Sequence, residues 1–402
     1  MSKAKTRPLR LLSIGCSRAL AERALALGAD LFVVHRESKI QQLVGLGISR
    51  MLVWNFEKDD DYLDILERLH AAQPFDGILS LAETALLPTA RAAARRGLRC
   101  NSVDVVEATV DKAKMRERLH SRGFSPLATS LGRGIEQVRS FGDAHGYPIV
   151  VKPRDGSGSA GVRILEIPPD DSQAAQYEAE LLLEEFVDGS EFSVEAISRE
   201  GRARTFGVVQ KGLFGGHAGA NAHVDLSHQF PASLSAEQTR EVETFVETFL
   251  GVMGITEGPT HTELKWGARG LRIIETHTRL GGDFIQELVR RSTGVDLIGA
   301  AAAAALGLPA PELDAAPTLR SGAAIRYFAP RPGTVRAIVG LERWQGEPGI
   351  ARIELHLSPG DVVARVESSA DRVGYVIATA ESGEGALRLC ERVTDGLRIQ
   401  TA

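Results

Sequence analysis

Cysteine is scarce. The 402-residue chain has only Cys16, Cys100 and Cys390, far apart and without metal-binding spacing, so neither a disulfide framework nor a cysteine metal site is expected. A dominant charge is also missing: the net charge of −5 offers no basic surface for nucleic acid. No apolar run approaches the roughly 20 residues that cross a bilayer. The alanine-rich stretch from Ile298 to Leu306 reads as a buried helix, and the short apolar run behind the basic start reads as a first strand, not a secretory segment. A cytoplasmic protein with no membrane partner is expected. Familiar nucleotide loops are absent too. Gly15 lacks the further glycines of a dinucleotide fingerprint, and no Gly-Lys-Ser/Thr opens a helix. No H-R-D or D-F-G segment supports a kinase.

What is present is ordinary for a globular enzyme, with 43% hydrophobic and 25% charged residues, over a length suited to about two to four compact units. Strands at Leu9–Ile14, Leu31–Val34, Met51–Trp54 and Gly77–Leu81 alternate with helices, including Tyr62–Leu69 and Glu83–Arg96. That order predicts a parallel α/β sheet. One helix is predicted from Val103 to Arg122, closed by Gly123. Strands follow at Tyr147–Pro153, Val162–Ile167, Leu181–Val187, Phe192–Ile197 and Thr205–Val209. The span from Gly212 to Gln229 shows little periodicity and reads as a long functional loop. An amphipathic helix, Glu237–Leu250, precedes a linker at Pro311–Pro317 and a tail rich in strands.

Two stretches carry chemistry. Gly156-Ser157-Gly158-Ser159-Ala160-Gly161 joins a strand ending in Lys152 to another strand. Strand, glycine loop, strand describes a flap whose N–H groups fold over phosphates, although a plain glycine–serine turn has the same composition. Further on, Glu263 and Glu275 close two apolar segments around Gly267-Ala268-Arg269-Gly270, a hairpin turn. A hairpin allows the two carboxylates to share a face and hold magnesium jointly with phosphates; solvated surface charges are the alternative. His277, Arg279, Gly281 and Gly282 then form a loop able to pair an anion and admit a close backbone.

In order and spacing, Lys112, Val151-Lys152-Pro153 with its glycine flap, Glu184-Glu185-Phe186-Val187 with Glu191, and Glu263, Glu275 and the Arg279 loop resemble the ATP-grasp superfamily over about residues 103 to 310. Ala222 to Ala232 and Arg372 to Ala378 are similar to segments of its bacterial L-amino acid ligase branch. The resemblance implies an α/β domain at 1–102, two α+β ATP-grasp subdomains at 103–188 and 189–316, and a β-rich C-terminal domain at 317–402. It implies that Lys112, Lys152 and the flap (Gly156, Ser157, Gly158, Ser159, Gly161) hold ATP phosphates, that Glu184, Glu185, Phe186 and Val187 line the adenine, and that Glu191 binds the ribose. Glu263 and Glu275 would hold Mg²⁺, with Mn²⁺ as the other ion. Arg279, Lys152 and Gly282 would serve catalysis, and Gly281 and Gly282 would face substrate with Arg279.

The family has Asn where this chain has His277, and imidazole suits softer metals than magnesium. His277 is therefore placed outside the metal shell, and His277→Asn is expected to leave magnesium-dependent turnover within a few-fold. The implied activity is ATP-dependent joining of a carboxylate, an amino acid, to an amine, a second amino acid, by a homodimer. His217, His223, Asp225 and His228 are candidates for contacting these substrates. A purine-pathway or biotin carboxylase-like ligase and a non-catalytic nucleotide-binding regulator are the alternatives.

Overall fold

The computed structural model describes residues 7–402 apart from 49, 157, 216–219 and 345, so Ser157 and His217 lie outside the described residues. The first segment forms the expected parallel sheet, in the order Arg50–Val53, Asp30–His35, Arg10–Ile14, Gly77–Ile78. Leu11, Leu31 and Val33 pack into one core; Leu12, Ile14, Phe32 and Val34 pack into another. Strands so apolar along their length suit a sheet covered on both faces. The strand read as Gly77–Leu81 is only Gly77–Ile78, and a single turn, Glu83–Ala85, precedes helix Leu86–Ala94.

The helix expected from Val103 to Arg122 is two helices, Val103–Val110 and Lys112–Ser121. Asp111 separates them. Its backbone is extended and its carboxylate accepts from the Ala113 and Lys114 N–H groups, so capping a new helix wins over continuing the old one. Lys112 thereby enters the first turn of the second helix.

The glycine loop belongs to a sheet of four antiparallel strands, in the order Thr129–Gly132, Leu181–Glu185, Ile149–Lys152, Arg163–Leu165. Val138 and Phe141 of helix Ile135–His145, an element the sequence reading missed, pack against Ile149, Val151 and Leu183.

The largest sheet has eight strands, in the order Gly270–His277, Gly258–Gly267, Ser190–Arg199, Arg202–Leu213, Asp225–Phe230, Gly322–Tyr327, Gly374–Ala380, Ile350–Leu355. It continues across the 316/317 boundary proposed from sequence. The loop expected from Gly212 to Gln229 is shorter, because Arg202–Leu213 and Asp225–Phe230 pair at its two ends. Buried polar residues, Ser227, His228 and Gln229, hide that second strand's pattern.

Helix Ala236–Met253 covers one face of this sheet. Val242, Val246, Phe249, Leu250 and Met253 pack on Val194, Ala196, Val208, Leu264 and Ile273. Each such buried side chain contributes roughly 1.5–3 kcal/mol. Strand alternation then turns Glu195, His261, Glu263 and Lys265 to the opposite face. Gly189 links the flap sheet to this one, with φ +93°, and a Cβ there would lie 2.1 Å from the Trp266 carbonyl oxygen. Gly189→Ala is therefore expected to lower the melting temperature clearly; an unchanged melting curve would show that this crossing yields easily.

Candidate active site

The carboxylate pair depends on an irregularity in its hairpin. Gly267 pairs with Gly270 and Leu264 with Ile273, but Glu263 pairs with Glu275. Continuing the first register would have paired Glu263 with Ile274 and Thr262 with Glu275, sending the two glutamates to opposite faces. The extra residue, Ile274, is a β-bulge, and it brings Glu275 to the face of Glu263. Arg116 braces the bulge: its guanidinium donates to the Ile273 carbonyl at 2.8 Å and the Ile274 carbonyl at 3.1 Å.

Glu263 and Glu275 line one cavity with Lys112, Lys152, Gly156, Gly158, Ser159, Glu184, Glu185, Phe186, Val187, Glu191 and His223. Thus most residues expected at the nucleotide converge. Lys112 Nζ lies 2.9 Å from Glu275 Oε2 and donates to the Gly156 carbonyl at 2.6 Å. Lys152 Nζ lies 2.5 Å from Glu184 Oε2, and Arg116 Nε lies 2.6 Å from Glu184 Oε1. Burial alone would raise the Glu184 carboxyl, but Arg116 and Lys152 hold it at about 2. Glu185 meets Arg269 at 3.2 Å.

Lys211, unassigned from sequence, sits buried among Glu191 at 2.8 Å, Glu263 at 2.9 Å and Asp225 at 3.3 Å. Burial favours its neutral form, yet these carboxylates hold its pKa well above the lysine range. Lys265, also missed, donates to the Val187 carbonyl at 3.3 Å and lies over the Phe186 ring. The flap reaches across the cavity: the Ser159 hydroxyl donates to the His223 carbonyl at 2.8 Å, and Ser369 N–H donates to the Gly158 carbonyl at 3.3 Å. Gly161 is not among the cavity-lining residues and packs on Pro153.

The loop after Glu275 adds no residue to the lining of this cavity but lies against its acidic wall. Arg279 lies 2.5 Å from Glu83 of the N-terminal segment and donates to the Leu280 carbonyl. His277 Nε2 lies 3.3 Å from Glu275 Oε1. His228 lies 3.0 Å from Asp283, which Arg372 grips with both guanidinium nitrogens. Burial raises the Asp225 carboxyl. Gly281 abuts Glu195 and His261, while Gly282 has open space around it.

Glu263 and Glu275 offer only oxygen donors, the set that suits a hard cation such as Mg²⁺. Both carboxyls are held below the usual carboxylate range against the effect of burial, Glu263 mainly by Lys211 and Glu275 mainly by Lys112. They are therefore ionised at neutral pH, as such ligands must be.

Comparison with known proteins agrees with this architecture. The ATP-grasp N-terminal domain family matches residues 21–98, the ATP-grasp domain family residues 170–287, and L-amino acid ligase C-terminal domain 2 residues 326–402. Fold and domain matches together show an ATP-grasp architecture, with an ATP-grasp N-terminal domain followed by an ATP-grasp domain. Its C-terminal domain is that of the L-amino acid ligase branch. The chain is similar to an uncharacterized protein, y4rH, of Sinorhizobium fredii, at 29% identity over 354 residues, covering 84% of this chain and 72% of that one. It is also similar to the L-arginine-specific L-amino acid ligase of Bacillus subtilis, at 24% identity over 312 residues, covering 74% and 73% of the two chains. The crystal structure of the L-amino acid ligase from Bacillus licheniformis superposes with a TM-score of 0.80 at 22% identity, covering 99% of this chain and all of that one, a likeness of fold. Among the described residues no helix is long and apolar enough to cross a membrane.

Proposed function

We propose that this protein activates an amino-acid carboxylate with ATP and joins it to the amine of a second amino acid, releasing ADP and phosphate. A carboxylate resists attack by an amine; phosphorylating it gives an acyl phosphate that an amine attacks, with phosphate leaving. The step calls for positioning and charge neutralisation more than covalent help. Lys112 and Lys152 would neutralise the phosphates, exchanging the carboxylate partners they hold in this structure. Glu263 and Glu275 would hold Mg²⁺, which when bound offsets phosphate charge. Phe186 and Val187 would line the adenine, and Glu191 the ribose. Arg279, steadied by Glu83, would stabilise the transferred phosphoryl group, and the flap would keep water from the acyl phosphate. Asp225 and His228 would face the incoming amine.

The observation that carries this reading is the convergence of Lys112, Lys152, Glu263 and Glu275 on one cavity beneath the glycine flap. The test is a screen of amino-acid pairs for phosphate release, followed by product mass. The expected result is release that needs both amino acids, with a product equal to their sum less one water. Release that ignores the amine, or none with any pair, would reject the reading.

A further inference from the structure

Beneath Glu263 lies a buried pair that the sequence reading left unassigned. Glu195, in strand Ser190–Arg199, is fully buried, and His261, in strand Gly258–Gly267, is 5% exposed. His261 Nδ1 lies 2.5 Å from Glu195 Oε1, and His261 Nε2 lies 3.1 Å from Glu263 Oε1. The other oxygen of Glu195 accepts from the Gly281 N–H at 2.8 Å. A Cβ on Gly281 would lie 2.7 Å from both Glu195 Oε1 and His261 Nδ1, so the loop sits against the pair with no room for a side chain.

We propose that Glu195 and His261 are positioning residues that lock Glu263 to the Gly281–Gly282 loop, so that the metal carboxylate and the loop carrying Arg279 keep a fixed spacing. The proposal rests on the reading of Glu263 as a ligand of the divalent cation. A carboxylate is costly to bury unless its oxygens are satisfied. Both oxygens of Glu195 are satisfied, one by His261 and the other by the loop backbone. His261 in turn spends its second nitrogen on Glu263. The remaining oxygen of Glu263 is held by Lys211 at 2.9 Å. Glu263 is thus held from both sides, which fixes its orientation before a cation arrives. Partners of this kind typically change metal affinity by about 10- to 100-fold when removed.

The experiment titrates Mn²⁺ into the ADP-saturated protein, following free Mn²⁺ by electron paramagnetic resonance. Wild type is compared with His261→Asn, Glu195→Gln and Gly281→Ala, alongside ADP binding without metal and thermal unfolding. The expected result is a Kd for Mn²⁺ raised about 10- to 100-fold in the variants, with metal-free ADP binding unchanged. A purely structural pair would alter melting and leave the Mn²⁺ Kd alone. Gly281→Ala keeps both side chains and disturbs only their contact with the loop, so it decides the matter if either other variant fails to fold. Folded variants that bind Mn²⁺ as wild type does would overturn the proposal. Wild type that binds ADP but no Mn²⁺ would instead remove the metal reading of Glu263, and the proposal with it.

Discussion

Glu275→Ala is expected to lower amide-forming turnover by at least about 100-fold, the scale on which single preorganised electrostatic groups act. Glu275 faces Glu263 across the bulged hairpin and holds Lys112 at 2.9 Å. Removing it takes away half of the acidic pair and frees the Lys112 ammonium to contact a phosphate in the wrong place. Glu275→Gln separates charge from shape: the amide keeps the side chain's size and one oxygen, yet is a far poorer partner for a cation. Both variants are expected to be inactive, with the glutamine form unfolding closer to wild type. Turnover within a few-fold of wild type in Glu275→Gln would remove this residue from the metal site.

Arg116→Met is expected to destabilise the fold by about 3–5 kcal/mol, the cost of removing one member of a buried ionic group. Arg116 is 1% exposed and binds Glu184 and the Ile273 and Ile274 carbonyls at once. Its loss leaves two buried carbonyls without that donor and loosens the bulge that aims Glu275. Turnover should therefore fall even at temperatures where the variant is folded.

The effect has a pH signature. The Glu184 carboxyl is depressed from 4.5 to about 2. A depressed carboxyl contributes stability that is fully present above its unfolded value and is lost as pH falls through its folded value. The gap between wild type and Arg116→Met should hold at neutral pH and narrow as pH falls from about 4.5 toward 2, followed by urea unfolding. A gap that stays constant over that range would mean that Arg116 acts without Glu184.

Much of the site was legible because its chemistry is local in sequence. The glycine flap carries its own composition, the acidic pair is closed by a two-residue turn, and the parallel strands announce themselves by apolar runs. The bulge at Ile274 was not legible. A single unpaired residue has no compositional mark, and the hairpin read without it would have separated the very carboxylates it was meant to join. Arg116, Lys211 and Glu195 escaped for a related reason: their partners lie far away in the chain, and each looked like one polar residue in a strand or helix; His261 escaped because its tie to Glu195 spans 66 residues. Glu195 did leave a signal. A charged residue in the middle of a strand, with apolar neighbours on both sides, must be paired if buried, and Glu195 is paired with His261.

The helix break at Asp111 was readable in principle, since aspartate is a good N-cap. It was missed because apolar residues continue at helical spacing on either side of it.

The central claim is spatial, and an anomalous-diffraction experiment addresses it most directly. Crystals grown with Mn²⁺ and a non-hydrolysable ATP analogue should show manganese peaks between Glu263 and Glu275, with the terminal phosphates beside Lys112 and Lys152 under the glycine flap. Manganese bound away from both glutamates, or a nucleotide seated outside this cavity, would contradict the account.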